Sequence, residues 1–311
     1  MPNRRYFLKT LAGSAAALGL SSFPLELLAN YEIEKLTILH TNDFHSHIDP
    51  FPDNDPKYAG LGGVARRSAL IKRIRDEEKN VLLLDAGDIF QGTPYFNLYG
   101  GEVELKLMSD MGYDASAIGN HDFDNGMDGL LKQLPNANFP FLCSNYDFTD
   151  TPLHHKTQPT KIFEKGGLKI GVFGLGIELQ GLVDKKHYGN TIYQDPVAKA
   201  AAMGQLLKEE KKCDLVICLS HLGYSYKEDK ISDVILAKQS RNIDLIIGGH
   251  THTFLDEPVR LKNRDNKEIL VAQVGWAGIK LGRIDYYFEK KSKKKQSMGT
   301  TLKISQKTST I

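Results

Sequence analysis

The chain reads as an α/β layered domain with mixed sheets, and two observations predict it. From residue 35 onward, short apolar runs alternate with longer amphipathic stretches, the pattern of helices packed on a sheet. A glycine hairpin and a closing pair of β-rich runs interrupt that alternation, so antiparallel strands are expected beside the parallel ones.

The elements follow in order. Residues 35–40 (KLTILH) form a buried strand, and residues 63–79 place Val64, Leu70, Ile71 and Ile74 on one helix face. Residues 81–85 (VLLLD) are a second strand, 103–111 a helix, 114–118 a short strand, 126–134 a helix and 139–143 a strand. Two β-rich runs within 162–174 flank Lys165-Gly166-Gly167, a hairpin signal. Residues 196–211 are helical with Pro196 in the first turn. Strands are expected at 214–219 and 243–247 around a helix at 231–241, and again at 268–274 and 279–288. One domain spans residues 31–290.

The net charge of +2 is unevenly spread. The first thirty residues carry +2 and residues 289–311 carry +6, which leaves the body near −6. An acidic body argues against nucleic-acid binding, which needs clustered cations. The Lys-rich tail, residues 291–311, is expected to be solvated and frayed. Three cysteines match no zinc-ribbon or redox spacing, and Cys213 and Cys218 flank an apolar run as core thiols do.

Residues 1–30 read as an export signal. Arg4-Arg5-Tyr6-Phe7-Leu8-Lys9 precedes a short Ala/Gly-rich apolar stretch, similar to a twin-arginine signal. Cleavage is expected near Ala29, and the mature chain in the periplasm. No acylatable cysteine follows, and nothing later is apolar for long enough to span a bilayer.

Five apolar runs end in metal-capable clusters: Asn42-Asp43-Phe44-His45, Asp85-Ala86-Gly87-Asp88, Gly119-Asn120-His121-Asp122-Phe123-Asp124, Ser220-His221 and Gly249-His250-Thr251-His252. Strand C-termini of an α/β domain converge on one edge, so these groups can meet. Carboxylate, imidazole and amide without thiol suit Zn²⁺, Mn²⁺ or Fe, including two ions that share a bridging carboxylate. Each cluster alone is weak; Asp88 alone could be a helix cap. All five in order are hard to explain as structure only.

This order of clusters resembles the calcineurin-like metallophosphoesterases, and ILHTNDFHSH, LDAGD, GYDASAIGNHDFD and GGHTH look like the 5′-nucleotidase branch. The resemblance covers roughly residues 36–290. It implies a four-layer α/β/β/α sandwich and two divalent ions. It assigns the first to Asp43, His45, Asp88 and His252, and the second to Asp88, Asn120, His221 and His250. Some members of the branch have Gln where His252 stands. His121 is the implied catalytic histidine, oriented by Asp124. The chemistry agrees: two cations acidify a shared water, and the resulting hydroxide attacks phosphorus in line.

The implied substrate is a phosphate ester, most simply a nucleotide monoester. A cyclic-nucleotide phosphodiesterase, a sulfur-ester hydrolase related to the thiosulfohydrolases and a catalytically silent binding module are the alternatives. His40 is expected to be structural, His47 structural or in contact with the ligand set, and His154, His155 and His187 exposed. Asp122 reads as a loop carboxylate, not a ligand. Trp276, the single tryptophan, is expected to pack in the core. Only 59 residues follow His252, too few for the domain that holds the nucleobase in two-domain 5′-nucleotidases. Specificity is therefore expected to be broad, or to come from a separately encoded substrate domain.

Overall fold

A computed structural model describes residues 33–290, 292 and 294–306. The expected export signal lies outside the described residues. The strands are β1 (Ile33–Thr41), β2 (Val81–Asp85), β3 (Ala115–Ala117), β4 (Phe141–Leu142), β5 (Tyr146–Asp147), β6 (Thr160–Lys165) and β7 (Leu168–Leu175), followed by β8 (Ile192–Tyr193), β9 (Leu215–Ser220), β10 (Leu245–Gly248), β11 (Val259–Lys262), β12 (Glu268–Ala272), β13 (Lys280–Glu289) and β14 (Lys295–Lys303). They build two six-stranded sheets, ordered β14-β13-β1-β2-β3-β4 and β11-β12-β10-β9-β7-β6, with β5 and β8 as a separate ribbon.

Both sheets are mixed. In the first, β1 to β4 run parallel, while β13 is antiparallel to β1 and β14 to β13. In the second, β7, β9, β10 and β12 are parallel and the edges β6 and β11 are antiparallel.

The period-2 geometry of a strand explains the layers. Leu36 and Ile38 of β1, Leu82 and Leu84 of β2, and Leu215, Ile217 and Leu219 of β9 all enter one cluster between the sheets. Their neighbours point the other way. Leu39, Val81 and Leu83 pack with the helix Val64–Glu77 and its neighbours, and Val216 and Cys218 pack with Leu236 and Ala237 of the helix Asp233–Gln239. Two sheets, each covered by helices on its outer face, give the α/β/β/α sandwich. Burial on both faces is why these strands read as unbroken apolar runs. All three cysteines are buried and free.

The Lys-rich end departs from expectation. Residues 295–303 are not frayed; they pair along β13 as an edge strand, from Lys280↔Lys303 to Phe288↔Lys295. The domain therefore extends past residue 290. Lys295 also reaches across to Asp244, at 2.6 Å. Among the described residues, no helix is long and apolar enough to cross a membrane.

Candidate metal centre

The loops after β1, β2, β3, β9 and β10 leave the C-terminal ends of parallel strands, and the two sheets bring those ends together. Asp85 fastens three of them. It is fully buried and accepts from Thr41 Oγ1 at 2.6 Å and Ser116 Oγ at 3.0 Å, one group each from β1 and β3. Close approach then sets the sequence. A Cβ at Gly119 would lie 2.1 Å from Asp88 Oδ1, so only glycine lets the third loop pass the second.

Two donor groups result. The ligand atoms of Asp43, His45 and His252 lie within 4.8 Å of one another, and so do those of Asp88, His221 and His250. Asn120 joins the second group, with Oδ1 2.8 Å from His250 Nδ1. Asp88 Oδ2 lies 3.0 Å from His221 Nε2 and 3.8 Å from His45 Nε2, between the groups. Asp43, His45, Asp88, His250 and His252 all have positive φ, between 49° and 72°. Their side chains leave from tight loops, not from the strands.

The donor chemistry fits cations. His45 Nδ1 lies 3.2 Å from the Phe90 carbonyl, to which it donates. That directs the Nε2 lone pair at His252 Nε2, 3.0 Å away. Two imidazole nitrogens facing each other at this distance share a proton when no ion is bound, and together they offer a pair of donors to a cation. His221 Nδ1 likewise donates to the Ala86 carbonyl at 2.7 Å, while its buried Nε2 has no hydrogen-bond partner despite its closeness to Asp88. Backbone carbonyls that fix ligand tautomers are a recurrent feature of metal sites.

The electrostatics point the same way. Burial lowers His45, and it lowers His250 to about 4. Burial also opposes charge on His221, yet Asp88 pulls it up to about 10. For Asp88, burial is outweighed by His221, His45 and His121, which hold its carboxyl well below the usual range. Positive charge is therefore favoured beside Asp88, and a divalent ion would supply it.

His121 and Asp124 stand beside these groups. His121 Nδ1 lies 2.9 Å from Asp124 Oδ2, and its backbone N–H donates to Asp88 Oδ1 at 2.8 Å. The Asp124 hydrogen bond raises the His121 pKa against partial burial. The ring is 5.2 Å from that of His45.

Several residues carry more than the sequence indicates. Asp122 is buried and accepts the amides of Ile89 at 2.9 Å and Gly119 at 2.8 Å, so it ties the second loop to the third. Burial and the Asp88 charge push it up to about 7. Asn42 accepts from Val274 N–H and donates to Asp43, clamping the first loop to the chain after β12. Trp276 is not in the core: it belongs to none of the three apolar clusters and stacks on His252 with ring centres 5.5 Å apart. His47 stacks on Phe51 and meets Trp276 edge-on, and burial lowers its pKa to about 4. His40 is fully buried. His155 is exposed, whereas His154 and His187 are half-buried.

Residues 36–254 match the calcineurin-like phosphoesterase family model. The chain is 36% identical over 230 residues to 5′-nucleotidase of Mus musculus, an alignment covering 71% of this chain and 38% of the relative. Among solved structures, the 5′-nucleotidase precursor from Thermus thermophilus superposes with a TM-score of 0.80 at 32% identity, covering 88% of this chain and 55% of that one. The calcineurin-like phosphoesterase YfkN from Bacillus subtilis gives 0.70 at 25% identity, covering 90% and 95%. The chain spans about half the length or less of curated relatives it matches. Because the matched region runs from β1 through the last ligand loop and contains every donor named above, the chain belongs to the calcineurin-like phosphoesterase family.

Proposed function

We propose that the chain is an exported, dinuclear-metal phosphomonoesterase acting on nucleotides or similar phosphate esters. Asp43, His45, Asp88 and His252 hold one divalent ion; Asp88, Asn120, His221 and His250 hold the other. The observation that carries this reading is Asp88, whose one oxygen stands within 4 Å of histidine nitrogens from both groups. When bound, the two ions acidify a shared water and neutralise charge on the phosphoryl group. His121 commits Nδ1 to Asp124, which leaves Nε2 to meet a phosphoryl oxygen or the leaving alcohol oxygen. The carboxylate favours the cationic ring, which stabilises charge that develops there.

The Arg4-Arg5 segment supports passage to the periplasm by the twin-arginine route, which carries folded proteins. Specificity beyond the phosphate is supplied by this chain or by a separately encoded substrate domain. A phosphate-release screen over nucleotides, cyclic nucleotides and simple esters, with Mn²⁺ and Zn²⁺ tested separately, tests the reading. Monoesters are expected to be hydrolysed with about two metals per chain. A metal-loaded protein that releases phosphate from none of them overturns it.

A further inference from the structure

Five rings outside the three cores form one connected set. His47 stacks on Phe51 at 4.9 Å, Phe51 meets Tyr58 at 5.3 Å, and Tyr58 meets Phe254 at 6.2 Å. Trp276 touches the first three at 5.0, 5.9 and 6.1 Å. Single exposed aromatics are ordinary on a protein surface. A connected set that continues into a metal-donor group is not. Trp276 lies within 2° of parallel to His252 and 6.4 Å from the ring of His45. At the other end Phe254 is exposed.

The set is held in register with the donors. Ala277 N–H donates to the Asp43 carbonyl at 2.7 Å, and Gly275 N–H to that of Thr253 at 3.0 Å. The loop carrying Trp276 is thus pinned to both chain segments that supply the first donor group. Tyr58 meets Trp276 edge-on, with ring planes at 72°. Binding sites combine such apolar rings with a few polar anchors, and here the anchor is the phosphate-binding end.

We propose that Trp276, with Phe51, Tyr58 and Phe254, is a stacking shelf for a planar aromatic group in the alcohol portion of the substrate, as a nucleobase is. This rests on the phosphomonoesterase reading and adds a source of specificity inside this chain. Stacking on aromatic side chains suits any base, because every base has a π face. The shelf therefore selects for a base over none, and only weakly among bases.

The test compares adenosine 5′-monophosphate with ribose 5-phosphate on the metal-loaded enzyme, since the two share the same leaving alkoxide. The wild type should favour the nucleotide in kcat/KM by about 10-fold or more. Trp276→Leu and Phe254→Ala should each pull that ratio toward one, and Phe254→Ala should do so with metal content still near two. Equal rates on the two esters in the wild type overturn the proposal. So does a proportional loss on both esters in both variants, which would make Trp276 only a support for His252. Trp276 is the sole tryptophan, so its fluorescence gives an independent readout. Adenosine should quench it in the wild type and less in Phe254→Ala. If neither ester releases phosphate, the phosphomonoesterase reading fails, and the quenching alone decides the shelf: its absence overturns it.

Discussion

Nδ1 of His121 lies 2.9 Å from Asp124 Oδ2, three residues on in the same loop. The pair is half-exposed, while the donors beside it are mostly buried. His121→Ala should cut kcat by roughly 10²–10⁴-fold, the range for a general acid or charge-stabilising group. Metal content should stay near two, and KM should not rise in proportion. Asp124→Asn should give a milder loss, about 10-fold, because an amide still orients the ring but does not favour its charge. Loss of metal in His121→Ala would instead make His121 a ligand.

Asp88→Asn should lower activity by more than about 100-fold and weaken both metal sites together. Titration of metal content against chelator checks this. A variant that loses one ion and keeps the other at wild-type affinity would mean that Asp88 does not bridge.

Asp122→Ala should destabilise the fold by about 3 kcal/mol, because buried amides of Ile89 and Gly119 lose a carboxylate acceptor. Urea unfolding measures it. Metal affinity should fall too, since those amides position Asp88.

Stability should decline in acid through His40. This ring is fully buried against Gly282, and burial lowers its pKa to about 3. The unfolded chain takes up a proton near pH 6.5, whereas the folded chain does not until about pH 3. In that window the unfolded state binds more protons, so stability falls as pH falls, by up to about 1.4 kcal/mol per pH unit. His40→Phe should flatten the unfolding free energy between pH 6 and pH 4 relative to wild type. An unchanged slope would show that other groups govern acid sensitivity.

Replacing Arg4 and Arg5 together by Lys should leave a folded, active precursor in the cytoplasm. Cell fractionation checks it, and normal export of that double variant would point to the general secretory route.

The sheet interior was legible because β1, β2, β9 and β10 are buried on both faces and read as apolar runs. The strand β14 was not, since Lys295-Gln296-Ser297-Met298-Gly299-Thr300-Thr301-Leu302-Lys303 shows no buried face. It is held by backbone pairing to β13, which leaves no mark on composition. The donor clusters were legible as motifs at strand ends. Asp122 was not, because the amides it holds at Ile89 lie 33 residues away in sequence. Nor was the place of Trp276, since stacking on His252 depends on where the loop after β12 crosses the ligand loops. A lone tryptophan after a strand carries no signal of that crossing.

Five proposed ligands, Asp43, His45, Asp88, His250 and His252, sit in left-handed backbone. Such a conformation costs an L-residue roughly 1–2 kcal/mol. Five of them approach the ~5–15 kcal/mol that separates a whole folded domain from its unfolded chain. Mutation toward glycine at any of these positions would relax the backbone and delete a donor in the same step. Selection for a sturdier protein and selection for a loaded centre therefore pull these five codons in opposite directions.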